Sequence, residues 1–190
     1  MSKLTKSSCK VQMRPLGLHY GSIKTAAEII SLSFASDPLI RWLSRDRSGP
    51  GWETLTPTLQ QWQEARLREY AVRGIAMEAV SRIGIMMESH NDFEERIKKK
   101  YPPNSLYYLE IAAVRPDTQG MGVGRTIMQW VVQNLGDNPC YIECTDKNNV
   151  AFYTKYGFEL VEEAELVDEE DAMSPTTLFY MIRDTSKLKK

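Results

Sequence analysis

The chain has 190 residues, 42% of them hydrophobic and 26% charged, with a formal net charge of −1. That length holds one domain with a proper core, and the composition is that of an ordinary soluble globular protein. A charge this near zero supplies no basic field for nucleic acid, and no window approaches the roughly eighteen uncharged apolar residues of a membrane span.

Met1–Lys10 is polar and carries three lysines with no apolar run behind them, so it is read as a flexible N-terminus and not as a secretory signal. A single domain is expected over 11–184, followed by a polar tail at 185–190. Val11–Leu16 alternates and predicts a first strand. Gly21-Ser22 offers a cap, and Ile23, Ala26, Ala27, Ile30 and Phe34 make a helical stripe that Asp37-Pro38 breaks. Leu39–Leu43 is an apolar knot, Ser48–Gly51 a turn, and Thr58–Val72 a second helical pattern with Leu59, Trp62, Ala65, Leu67 and Tyr70 inward.

Gly74–Glu88 reads as two short strands, Ile75–Val80 and Ile83–Met87, joined at Ser81-Arg82. Asn91–Lys100 predicts a short helix ending at Tyr101-Pro102-Pro103-Asn104. The run Lys98-Lys99-Lys100 is taken as a solvated face. Leu106–Val114 is an apolar, aromatic run with one acid, Glu110, and predicts a largely buried strand closed by Pro116. After the glycines at 120, 122 and 124, Ile127, Val131 and Leu135 recur at helical spacing until Gly136. Cys140–Cys144 predicts a strand with both thiols on one face. Val150–Tyr156 predicts a helix stopped by Gly157, and Phe158–Val161 and Thr176–Arg183 predict strands. Between these last two lie the seven carboxylates of Glu162–Asp171, which would steer a cationic substrate or form a solvated loop.

Three cysteines and two histidines, with no second cysteine pair, do not make a zinc site, so Cys9, Cys140 and Cys144 are read as reduced thiols of a cytoplasmic protein. The chemistry concentrates around Gln119-Gly120-Met121-Gly122-Val123-Gly124. A strand, a glycine turn and a helix in that order present free N–H groups and a positive helix end to phosphate oxygens. A merely flexible turn is the alternative. The spacing is neither the dinucleotide fingerprint nor a P-loop.

The turn, together with Asn149-Val150-Ala151-Phe152-Tyr153-Thr154-Lys155-Tyr156-Gly157-Phe158, resembles the Gcn5-related N-acetyltransferase (GNAT) superfamily. Two motifs carry the resemblance, (Q/R)-x-x-G-x-(G/A) and N-x-x-F-Y-x-x-x-G-F, in the right order and separation across roughly residues 105–160. In flavour they are closest to the small-molecule, puromycin-type branch. The resemblance implies an α/β (α+β) fold: a mixed, mainly antiparallel, splayed sheet of about six to seven strands with helices on both faces. It also implies acetyl-CoA as cofactor and direct attack by a primary amine of a small molecule in a ternary complex, in a monomer or homodimer. A GNAT-fold protein with a drifted site, binding a ligand as a regulator or running other chemistry in the same cleft, is the alternative.

By the same resemblance, the pyrophosphate would lie on Gln119, Gly120, Met121, Gly122, Val123, Gly124 and Arg125. The pantetheine arm would pair with Ala112 and Val114, with Asn149 and Phe152 beside the cofactor. Tyr153 is the implied general acid, protonating the departing thiolate. Glu110 is the expected base, since a partly desolvated strand carboxylate holds its proton more readily; a solvent-facing acid, or one paired with Arg115, is the alternative. Glu88 and His90 are the next choices. Trp42, Met77, Met86 and Tyr108 are the expected acceptor pocket, with Trp62 nearby; methionine fits irregular apolar ligands and is also ordinary core filling.

Overall fold

The computed structural model describes residues 20–34, 36–43, 81–169 and 175–185. The expected strand Val11–Leu16, the helix Thr58–Val72, the strand Ile75–Val80, and with them Met77 and Trp62, lie outside the described residues. Numbered over the described residues, the helices are α1 Tyr20–Ser33, α2 Pro38–Leu43, α3 Ser81–Lys98, α4 Val123–Leu135 and α5 Lys147–Thr154. The strands are β1 Tyr107–Tyr108, β2 Cys140–Cys144, β3 Glu159–Leu166 and β4 Thr176–Arg183.

The strands form one sheet in the order β1-β2-β4-β3, with β1 parallel to β2 and the other two pairs antiparallel. The mixed, mainly antiparallel character matches the expectation; the described residues supply four strands, not six or seven. Period-2 alternation divides the side chains of the sheet between two cores. Tyr141, Leu178, Tyr180 and Ile182 join Leu39 and Trp42 of α2 and Phe93 and Ile97 of α3 on one face. Cys140, Ile142, Cys144, Phe179 and Met181 join Met128 and Leu135 of α4 and Phe158 on the other, with Phe152 and Tyr153 of α5 packed against them. The two thiols do share a face, and both are free. Among the described residues, no helix is long and apolar enough to cross a membrane.

Three expectations need correction. The expected hairpin strand Ile83–Met87 is helical, and α3 swallows both it and the short helix expected from Asn91. The reason is a stripe the apolar run concealed. Ile85, Ser89, Phe93 and Ile97 recur every four residues; Phe93 and Ile97 are in the core, Ile85 packs against it, and Ser89 shares a 2.8 Å hydrogen bond with the Tyr180 hydroxyl. The flanks and outer side of the helix carry i,i+4 pairs from Arg96 to Asp92, Lys98 to Glu94 and Lys99 to Glu95. Among the described residues, the expected strand Leu106–Val114 pairs only at Tyr107 and Tyr108. Its last backbone bond to β2 among the described residues runs from Leu109 N to Tyr141 O at 3.0 Å, and the chain then leaves the sheet. Finally, Glu162–Leu166 is strand, not loop: β3 lies at one edge of the sheet, and Glu162, Glu163 and Glu165 all pair in register with β4.

Candidate active site

The parting of β1 from β2 defines the site. Tyr108 stands opposite Tyr141 in the parallel register. Two residues beyond Tyr141 on β2 comes Glu143, on the same face; Glu110, two residues past Tyr108 in the chain that has left the sheet, is near enough to act electrostatically on Tyr108 and His90. The irregular stretch after β1 passes close to α1, whose Ser33 Oγ lies 2.9 Å from the Val114 carbonyl and 2.7 Å from the Ile29 carbonyl of its own helix, two acceptors for its single proton. The Gln119 side-chain amide donates to the Val114 carbonyl at 3.1 Å. Arg115 pairs with Asp117 through Nε at 3.1 Å and Nη2 at 2.9 Å.

A short 3₁₀ turn, Pro116–Thr118, leads into the glycine turn. Gly120 and Gly122 have φ of 77° and 88°, the left-handed region where a Cβ is strained, and a Cβ on either would meet nothing within 4 Å. Gly122 is the N-cap of α4 and leaves the N–H groups of the first turn, Val123, Gly124 and Arg125, without intrahelical acceptors. Gln119, Met121 and Arg125 are exposed around it, and Val123 is half-buried. Gly124 has a different use: a Cβ there would stand 3.5 Å from Phe152 Cζ and 3.7 Å from Val114 Cγ2. Its lack of a side chain lets α4, α5 and the parted strand meet.

Helix α5 starts where β2 ends. Asp146 caps it, accepting from Asn148 N at 2.8 Å, and Asn149 lies exposed in the first turn. Phe152 and Tyr153 point into the α4 side, their ring centroids 5.3 Å apart, with Phe158 6.1 Å from Tyr153. Burial, with a smaller contribution from the Cys144 thiol, pushes the Tyr153 hydroxyl up to about 12, so it keeps its proton at neutral pH. Burial likewise raises the Cys144 thiol to about 11.

On the other face, Trp42 is in the core at 4% exposure, and Met86 and Tyr108 pack against the same cluster, so three of the four expected pocket residues meet in one core cluster. The Tyr108 ring stacks on Tyr141 at 4.5 Å. Its hydroxyl donates to Glu143 Oε2 at 3.2 Å, and its acidity is lowered by burial and then by Glu143 and Glu110. His90 of α3 lies over the same spot, Nδ1 to Glu143 Oε1 at 2.5 Å, its ring 5.6 Å from Tyr108. The Glu143 hydrogen bond holds the His90 proton more tightly than usual, against the opposing effect of burial. Tyr141 donates to Glu94 Oε1 at 2.9 Å. Glu88, the other runner-up base, is exposed on α3.

Sequence reading passed over two groups here. Glu143 sits 53 residues from His90, and no local pattern marks the pairing; only its acid character inside an apolar strand hints at it. Asp37, read only as a helix breaker, is buried at 9% exposure. Its carboxylate caps α2, accepting from Leu39 N at 2.9 Å and Ile40 N at 3.1 Å. It also accepts from the Thr145 hydroxyl, tying α2 to the loop between β2 and α5. A separate groove of about 650 Å³ opens at the far end of α4, between Gln129, Gln133, Lys155, Tyr156 and Arg183, and holds none of the expected site residues.

Residues 75–160 match the family model described as the acetyltransferase (GNAT) domain. No curated protein matches the chain in sequence. Solved structures do share its fold. One is a histone acetyltransferase HPA2 and related acetyltransferase from Corynebacterium glutamicum, with a TM-score of 0.56 at 18% identity over 86% of this chain and 91% of that one. Another is the Drosophila melanogaster polyamine N-acetyltransferase, with a TM-score of 0.54 at 13% identity over 87% and 96%. A third is the mosquito arylalkylamine N-acetyltransferase like 5b, with a TM-score of 0.53 at 14% identity over 85% and 94%. Residues 75–160 thus resemble a GNAT acetyltransferase domain in sequence, and the chain shares the mixed α/β GNAT fold of these structures.

Proposed function

We propose that the protein transfers an acetyl group from acetyl-CoA to a primary amine of a small molecule, by direct attack in a ternary complex. The observation that carries this reading is the convergence of both motifs on one spot: Gly124 of the glycine turn against Phe152, whose neighbour Tyr153 keeps its proton in a buried setting. The pyrophosphate lies along Gln119–Arg125, where the open space over Gly120 and Gly122 and the first-turn N–H groups, which have no intrahelical acceptors, suit an anion. The pantetheine amides pair with the backbone of Ala112 and Val114, where the carbonyl of Val114 already accepts from the Gln119 side chain. Asn149 and Phe152 flank the arm.

Tyr153 donates a proton to the departing thiolate, and Glu110, at the mouth of the opening, receives the ammonium of the acceptor and takes its proton directly or through one water. The acceptor enters over the half-buried Met86 and Tyr108, which are backed by the core cluster that holds Trp42, with carboxylates nearby, suited to a small amine with an apolar body. Two of the proteins sharing the fold are named for arylalkylamines and polyamines, which supports an amine acceptor. The free thiols of Cys140 and Cys144 suit the reducing cytoplasm. The test is twofold: a rise in melting temperature with acetyl-CoA, then release of free thiol on adding phenethylamine, putrescine or agmatine. Stabilisation by acetyl-CoA with no thiol release from any amine defeats the transfer reading.

A further inference from the structure

We propose that the proton taken from the acceptor amine passes to a His90–Glu143 pair on the acceptor side of the opening, with His90 as its holder and Glu143 as the residue that positions it. The inference rests on the acetyl-transfer reading and extends it to a relay that neither sequence motif contains.

The geometry comes from two elements far apart in sequence. Glu143 lies on β2 at the level where β1 has left, and Tyr108 and Glu110 occupy the facing chain. Helix α3 crosses this face and drops His90 onto Glu143, Nδ1 to Oε1 at 2.5 Å, with side-chain exposures of 18% and 15%. The second oxygen of Glu143 accepts from Tyr108 at 3.2 Å, so the carboxylate is held at both ends and fixes the imidazole ring. With Nδ1 committed to Glu143, Nε2 is the nitrogen left to exchange a proton. Glu110, the first acceptor, lies within electrostatic reach of both His90 and Tyr108. The groups facing His90 are thus Glu143 from β2, Tyr108 and Glu110 from the parted chain, and Glu94 from its own helix, where Lys98 offsets part of the last charge at 2.8 Å.

Proton matching favours this relay. A free carboxylate near about 4.3 is a weak acceptor for an alkylammonium, and a histidine near about 6.5 is a better one, by tenfold for every unit. The carboxylates around His90 raise it further, Glu143 foremost. The balance of the step is as follows. One proton leaves the ammonium for Glu110 and then His90 Nε2, and the freed amine attacks the thioester carbonyl. As the C–S bond breaks, the thiolate takes the Tyr153 proton. The second nitrogen proton returns to Tyr153 through solvent, and His90 releases its own to water.

The pair of tests separates this relay from a structural ion pair. His19 and His90 are the two histidines of the chain, so H90Q assigns the His90 resonance in NMR. That resonance should titrate above 6.5 in the wild type and move down in E143Q, and less far in E110Q; a midpoint at or below 6.5 in the wild type overturns the relay. In turnover, H90Q should lose at least tenfold in kcat and lose the acid limb of the kcat/KM profile, with acetyl-CoA affinity kept within threefold. E143Q should shift that limb to lower pH, and H90N, which keeps a polar group toward Glu143, should restore the melting temperature but not the limb. An H90Q enzyme with the wild-type pH profile overturns the relay while leaving acetyl transfer intact. Absence of thiol release in the wild type with all three amines overturns both.

Discussion

Phe152 Cζ lies 3.5 Å from the point where Gly124 would carry a Cβ, which joins the glycine turn to the aromatic helix in a single contact. The two motifs are thus parts of one packed unit, and their glycines differ in kind. Gly122 needs its φ of 88° and faces open space; Gly124 has ordinary dihedrals and a crowded neighbour. We expect Gly122→Val to cost about 1–2 kcal/mol in stability from the left-handed backbone, leave a folded protein, and abolish acetyl-CoA binding. Gly124→Ala should bind nearly normally, since its Cβ makes only van der Waals contacts, whereas Gly124→Val should displace Phe152 and weaken binding. Calorimetry on the three variants checks this; unchanged CoA affinity in folded G122V removes the phosphates from the turn.

The acids at the start of the carboxylate run have a different role from the one their sequence suggests. Glu162 meets the Arg96 fork from α3, Oε2 to Nη1 and Oε1 to Nη2, both at 2.9 Å. Arg96 is 48% exposed and Glu162 33%. At that exposure, a double-mutant cycle of Arg96→Gln and Glu162→Gln should give a coupling of about 0.2–1 kcal/mol, with the upper end reached because the contact is bidentate. E162Q should change the acceptor kcat/KM less than twofold, because its charge is already paired. A salt-dependent loss of kcat/KM in E162Q reinstates the steering role.

What the sequence made legible was what local chemistry encodes. The glycine turn and the helix after it, the Asn149–Gly157 segment and the shared face of Cys140 and Cys144 each follow from glycine tolerance, helical spacing or strand alternation within a dozen residues. Helix α3 was missed because Ile83–Met87 is as apolar as a strand, and because Ser89, the polar member of its buried stripe, is explained only by Tyr180 on β4, 91 residues away. The parting of β1 from β2 was missed because an apolar run does not record where its hydrogen bonds end. The same holds for His90 and Glu143, and for Asp37 and Thr145, whose separation in the chain is 108 residues.

Asp37 offers a test of stability against pH. Burial raises its pKa above the ordinary 3.8, against the hydrogen bonds from Thr145, Ile40 and Leu39 that favour the charged form. A carboxyl with a raised folded pKa stabilises fully below about 3.8, and that contribution is lost as pH rises through its folded value. D37N keeps an oxygen for the α2 cap and removes the buried charge. We expect its stability relative to the wild type to improve as pH rises from 4 to 7, whereas D37A, without any cap, should lose about 1–2 kcal/mol at both ends. Urea unfolding at the two pH values checks the sign; a relative gain for D37N at the acid end contradicts it.

The Tyr153 hydroxyl is the group on which the proposed chemistry depends most directly. Its ring is fixed by Phe152 at 5.3 Å and Phe158 at 6.1 Å, so Tyr153→Phe keeps the packing and deletes one oxygen. Acetyl-CoA affinity should stay within a few-fold. Loss of a general acid should lower kcat by roughly 10- to 1000-fold, with kcat/KM falling in parallel, as for an interaction made only in the transition state. The pH profile adds a second constraint. A hydroxyl pushed to about 12 by burial stays protonated across the neutral and moderately alkaline range, so no alkaline limb from Tyr153 should appear below about pH 10. E110Q, in contrast, should move the acid limb and leave the alkaline side as it was. If Tyr153→Phe turns over at the parent rate at every pH, the thiolate leaves without protonation by the helix, and Tyr153 is only a packed ring between Phe152 and Phe158.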